Sequence, residues 1–107
     1  MGEYRRRTAE PRETGFGYLD IYVGPDYPGV GKSGRIMVHR KVMQDHLGRP
    51  LLKHENVHHK NGDRKDNRIS NLELWSTSQP TGQRVEDKLQ WAREFLRLYE
   101  GVNIDYA

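Results

Sequence analysis

The sequence predicts an α+β domain in which a β-loop-β hairpin packs on a long C-terminal helix, preceded by an N-terminal β-hairpin and a short helix. Three observations predict it. Short segments alternate apolar and polar residues, a long polar loop joins two of them, and an amphipathic run with helical spacing follows. At 107 residues the chain is one domain with a modest core. The domain is expected over residues 15–100, with residues 1–14 a flexible basic tail and 101–107 a second tail.

The elements follow in order. Residues 17–23, Gly-Tyr-Leu-Asp-Ile-Tyr-Val, alternate and carry β-branched and aromatic side chains, the signature of a strand. Residues 24–31 hold Gly, Pro and Asp and form a loop, and Arg35 to Val38 returns as the second strand of a hairpin. From His39 to Leu47 the spacing predicts a short helix, since Val38, Val42, Met43 and Leu47 share one face and Gly48 stops it. Glu55 to His59 is short and extended. Residues 60–71 are an ordered polar loop rich in Asp and Asn, and Leu72-Glu73-Leu74-Trp75 alternates as the partner strand. Residues 76–79 form a linker, and Pro80 suits the first turn of the last helix. Val85, Leu89, Ala92, Leu96 and Tyr99 recur at helical steps, widened by Trp91, Phe95 and Leu98, and Gly101 ends the helix. Trp75 and Trp91 fit these patterns as core residues.

Composition narrows the function. No run of about eighteen apolar residues occurs, which excludes a membrane-spanning helix. There are no cysteines, so thiol chemistry, disulfides and Cys-ligated zinc are excluded, and the cytoplasm is the expected compartment. The net charge of +3 is unevenly spread: residues 31–70 carry ten Lys/Arg against four Asp/Glu, residues 71–107 four against six. A basic middle of this kind fits a polyanion such as nucleic acid.

The chemistry concentrates at His58-His59. Adjacent residues of an extended segment point to opposite faces, so two neighbouring imidazoles can do two jobs. One binds a divalent cation, and the other takes a proton near neutral pH. Phosphodiester hydrolysis needs both parts. Asn71, where the chain enters the next strand, is placed to fix a facing imidazole or its backbone across the loop. His39, His46 and His54 lack partners at ligand spacing and read as surface or half-buried polar residues.

The run from Val57-His58-His59-Lys60-Asn61-Gly62-Asp63 through Asp66-Asn67-Arg68-Ile69-Ser70-Asn71-Leu72-Glu73-Leu74-Trp75 resembles HNH endonucleases of the kind often encoded by bacteriophages and homing elements. Val38-His39-Arg40-Lys41-Val42 resembles the short helix before their motif, and Gln79 to Lys88 the start of their following helix. The resemblance implies the ββα-metal (HNH) fold and hydrolysis of DNA with one divalent metal ion, magnesium or manganese, leaving a 5′-phosphate and a 3′-hydroxyl. It implies His59 as general base, Asn71 as the residue that steadies it and His58 as a metal ligand. Where the family places its last His, this chain has Gln79 and Pro80, which makes the Gln79 amide oxygen the candidate ligand and Gln83 the reserve. An amide oxygen suits hard cations better than zinc. Lys60 and Arg84 are the expected phosphate contacts, while Arg5-Arg6-Arg7 reads as a solvated tail. A non-catalytic DNA-binding module and an RNA nuclease are the competing readings.

Overall fold

The structure is a computed structural model and describes residues 10–102. The expected α+β architecture is present. Strands β1 (Arg12–Glu13), β2 (Leu19–Tyr22) and β3 (Arg35–Met37) form an antiparallel sheet in that order. Asp20 on β2 accepts hydrogen bonds from Arg35 Nε and Nη2 at 3.0 and 2.8 Å, tying the two strands together by their polar side chains. The strand β1 lies in a stretch whose polar composition reads as tail. It forms because its pairing with β2 is supplied by the backbone, Arg12 opposite Asp20, and needs no apolar pattern.

Helix α1 (Val38–Leu47) leaves β3 without a break and ends at Gly48, whose φ of 76° lets its N–H return to the Gln44 carbonyl at 2.8 Å. Strands β4 (Glu55–His59) and β5 (Leu72–Ser76) then pair antiparallel, with Val57 opposite Leu74 and His59 opposite Leu72. Alternation puts Glu55, Val57 and His59 on one face of this hairpin and Asn56 and His58 on the other. Val57 and Leu72 meet Met43 of α1 in the core, with Val42, Leu47, Leu51, Ile69 and Leu74 packed around them. Met43 and Leu72 are completely buried, so truncating either to alanine would cost about 2–5 kcal/mol.

Helix α2 spans Val85–Tyr99. It begins five residues later than Pro80, since residues 77–84, which include Gly82, stay non-helical and Arg84 is still extended at φ −66°, ψ 146°. Its packing differs from the sequence expectation as well. Val85, Leu89 and Leu96 are exposed. The side facing the hairpin is aromatic: Trp91 donates to Ser78 Oγ at 2.8 Å, and the rings of Trp91, Phe95 and Tyr99 meet successively in tilted pairs at 5.1 and 4.7 Å between ring centres. The wide apolar stripe contained two candidate faces, and the aromatic one has polar tips that find partners. Trp75, expected in the core, is half exposed, because its register opposite Asn56 puts it on the hairpin's outer face. Among the described residues no helix is long and apolar enough to cross a membrane.

Candidate active site

An open pocket of about 570 Å³ forms where β2, α1, the end of β4 and the following loop meet. Tyr18, His39, Arg40, His58, His59 and Arg64 line it, with Asn56, Val57 and Gly62. The structure therefore brings both sequence-predicted histidines to one cavity, although their side chains leave opposite faces of the strand.

His59, on the inner face, is held on two sides. Its Nε2 lies 2.7 Å from Oδ1 of Asn67. A carboxamide oxygen only accepts, so this pairing places the ring proton on Nε2 and leaves the Nδ1 lone pair available. On its other side His59 meets the His39 ring at 4.9 Å, and His39 stacks on Tyr18 at 5.3 Å. Burial, then the neighbouring His59, Arg40 and His58, push His39 down to about 4, so its ring is neutral at physiological pH. It packs against His59 without adding a competing charge. His58 stands exposed and stacks face-on against Trp75, ring centres 3.8 Å apart and planes 21° from parallel.

The loop behind these residues is rigid for reasons visible in its sequence. Asn61 Oδ1 accepts from the Asp63 N–H at 2.8 Å and Asp63 Oδ1 from the Lys65 N–H at 3.0 Å, two local Asx turns. Asp66 holds Arg68 through two bonds of 2.8 and 2.7 Å. That Arg68 pairing, working against burial, keeps the Asp66 carboxyl down at about 2. Asn71 is buried and closes the loop: its Nδ2 donates to Asn61 Oδ1 at 3.0 Å and to the Asp66 carbonyl at 2.8 Å, and its Oδ1 accepts from the Asn61 N–H at 3.2 Å. Asn71 thus steadies the loop backbone, and the side chain that hydrogen-bonds His59 is Asn67. Arg64 anchors the loop to the N-terminal sheet, donating to the Phe16 carbonyl at 2.6 Å and lying 4.6 Å over the Tyr18 ring.

Charge in the pocket is one-sided. Arg12, Arg35, Arg49, Arg68 and Arg84 all pair with carboxylates. Arg40 and Arg64 line the pocket and form no carboxylate pair among the described residues. The other expected site residues lie elsewhere. The Lys60 N–H bonds the Asn71 carbonyl at 2.8 Å, while its side chain is exposed. Gln79 and Gln83 are exposed on the segment between β5 and α2 and do not line the pocket. Arg84, at the start of α2, pairs with Asp87 at 3.2 Å. Arg5-Arg6-Arg7 lies outside the described residues.

Sequence reasoning missed His39, Asn67, Arg40, Arg64 and Tyr18 as site residues. For His39 the signal was present: it precedes Met43 by one helical turn and so shares the face that meets the hairpin. For Asn67 there was none, since only the folded loop brings it to His59.

No group of three or more His, Cys, Asp or Glu side chains among the described residues is arranged to hold a metal. The donors present, one exposed imidazole at an open pocket, fit an ion that retains most of its water and not a closed zinc site. No curated protein and no solved structure matches the chain. Residues 37–80, which supply α1, the β4–β5 hairpin and its loop, match the family model described as HNH endonuclease. The matched segment, which carries the paired histidines at the end of β4 and the buried Asn71 that closes their loop, is therefore similar to HNH endonucleases.

Proposed function

We propose that the protein is a metal-dependent DNA endonuclease that hydrolyses phosphodiester bonds with His59 as general base. The observation that carries this reading is the Asn67–His59 bond, which leaves Nδ1 as the basic atom in an open pocket flanked by two arginines that form no carboxylate pair among the described residues. In the reaction a water attacks phosphorus and passes its proton to His59 Nδ1, the bond from phosphorus to the 3′ oxygen breaks, and the departing oxygen takes a proton from solvent water to leave a 3′-hydroxyl and a 5′-phosphate. Arg40 and Arg64 hold the phosphate oxygens and balance the charge that builds on them. Neutral His39 and Tyr18 keep the His59 ring in place.

His58 would hold the divalent ion, magnesium or manganese, with Gln79 as the second protein ligand and Gln83 in reserve. When bound, the ion supplies charge neutralisation at the phosphoryl and leaving oxygens. Gln79 reaches the pocket only if the linker between β5 and α2 moves. Lys60 and Arg84 are assigned to phosphates beyond the scissile one, since the exposed Arg84–Asp87 pair is weak enough to exchange for DNA.

The test is incubation of supercoiled plasmid with the protein and magnesium, manganese or chelator. Nicked or linear product only with metal supports the reading. DNA binding without cleavage under any metal replaces it with a non-catalytic DNA-binding module, and cleavage confined to RNA replaces the substrate.

A further inference from the structure

Phe16 sits at the tip of the β1–β2 turn between Gly15 and Gly17 and is 79% exposed, the most exposed large apolar residue of the described chain. A single exposed phenylalanine is ordinary on a protein surface. Its mounting is not. The turn is closed by the Thr14 N–H on the Tyr18 carbonyl at 2.8 Å, and Gly17 takes a φ of 81° that a side chain would strain. The Phe16 carbonyl accepts from Arg64, whose guanidinium lies over Tyr18, and Tyr18 stacks on His39, which meets His59. An unbroken chain of contacts therefore joins the Phe16 backbone to the base, and the exposed ring stands on a residue whose carbonyl is held by the pocket-lining Arg64.

We propose that Phe16 stacks on a nucleobase adjoining the phosphate held in the pocket. The proposal rests on the nuclease reading and adds how the substrate is gripped. The two arginines select a polyanion, and among polyanions only a nucleic acid offers a flat ring beside its phosphate for an exposed aromatic on a fixed turn backbone to meet. Stacking of this kind tolerates any base, so Phe16 contributes grip and local unstacking and not sequence readout.

The test uses a short single-stranded DNA carrying one 2-aminopurine, titrated in chelator so that nothing is cleaved, with methyl p-nitrophenyl phosphate, a diester without a base, as second substrate. The parent protein should change the aminopurine emission on binding. Phe16→Ala should bind about tenfold more weakly and lose that change, Phe16→Trp should restore both, and turnover of the small diester should stay at the parent level in each. Equal binding and equal emission change in Phe16→Ala overturn the proposal and leave the nuclease reading standing. So does a loss of small-diester turnover or thermal stability in Phe16→Ala that matches its loss of binding, since the ring would then be structural. A parent that binds no DNA and cleaves no plasmid overturns both.

Discussion

Strand β4 carries charge-bearing side chains at both ends, and the two ends are built on opposite principles. At its start Glu55 is buried, yet all its hydrogen-bonding capacity is used. Arg49 meets both carboxylate oxygens at 2.8 Å, the Leu52 N–H donates at 2.7 Å, and the Tyr99 hydroxyl donates at 2.6 Å. Burial alone would raise the Glu55 carboxyl, but Arg49, the Leu52 N–H and Tyr99 outweigh it and hold it down at about 2. The same pairing, after burial, pushes Tyr99 up to about 12. At the strand's other end His58 and His59 face an open pocket, and His59 Nδ1 has no hydrogen-bond partner among the described residues. A saturated cluster contributes stability and can do no chemistry, whereas an unsaturated one contributes little stability and is free to react.

The largest expected effect tests the reactive end. His59→Ala should lower plasmid cleavage by about 10²–10⁴-fold, with a melting temperature near that of the parent. A variant that nicks at the parent rate would remove His59 from the mechanism. The matching change at the saturated end is Arg49→Ala, which leaves a buried carboxylate uncompensated. It should cost about 3 kcal/mol of folding stability in urea titrations, while the cleavage rate of the molecules still folded stays unchanged. If instead Arg49→Ala slowed cleavage and spared stability, the division of labour along β4 would be wrong.

The saturated end also sets a pH signature. The folded Glu55 carboxyl titrates near 2, below its ordinary 4.5. The unfolded chain therefore binds the extra proton first as pH falls. The contribution of Glu55 is fully present above about 4.5 and is lost progressively towards 2. Glu55→Gln should flatten the stability–pH curve across that window, as followed by circular dichroism. A parent curve already flat there would show that the network is not intact in solution.

Intermediate in size is Asn67→Ala. Without the Oδ1 acceptor the His59 ring loses the bond that fixes its tautomer, and cleavage should fall about 10–100-fold, the range seen when an imidazole's supporting partner is removed. His58→Ala should act differently, raising the magnesium or manganese concentration needed for half-maximal rate while DNA affinity in chelator is preserved. Unchanged metal affinity by calorimetry would exclude His58 as the ligand.

How much of this could be read from sequence depends on how local each cause was. The β4–β5 hairpin and α1 were legible because Val57, Leu72, Leu74 and Met43 repeat with the period of their elements. The paired histidines and Asn71 were legible because their spacing and polar loop form a recognisable pattern. The Glu55 network was not, since it joins Arg49, Glu55 and Tyr99 across 50 residues of chain and no periodicity marks it. The exposure of Trp75 was hidden for a related reason: alternation in Leu72-Glu73-Leu74-Trp75 separates two faces, and the large aromatic at its end falls with Glu73 and not with the leucines. Asn67 and Arg64 looked like ordinary loop polarity until the loop folded against β4 and the N-terminal sheet.

The smallest effect is expected at Gln79, where the family pattern and the geometry pull apart. By position it stands where the family's last ligand belongs, but its side chain is exposed on the linker and outside the pocket. A neutral amide oxygen adds little to a six-coordinate magnesium shell that water can complete. Gln79→Ala should therefore shift the half-maximal magnesium concentration upward only slightly, within about twofold to threefold, less than His58→Ala does. Gln79→His is the sharper probe, because an imidazole favours zinc, nickel and cobalt over magnesium. If the linker swings inward, this variant should gain affinity for those three metals by calorimetry while its magnesium-supported rate stays near the parent's. If both variants match the parent with every metal, Gln79 is no ligand, and Gln83→Ala becomes the next measurement. Should that variant also match, neither glutamine is a ligand, and His58→Ala alone decides whether the proposed ion is held at the end of β4.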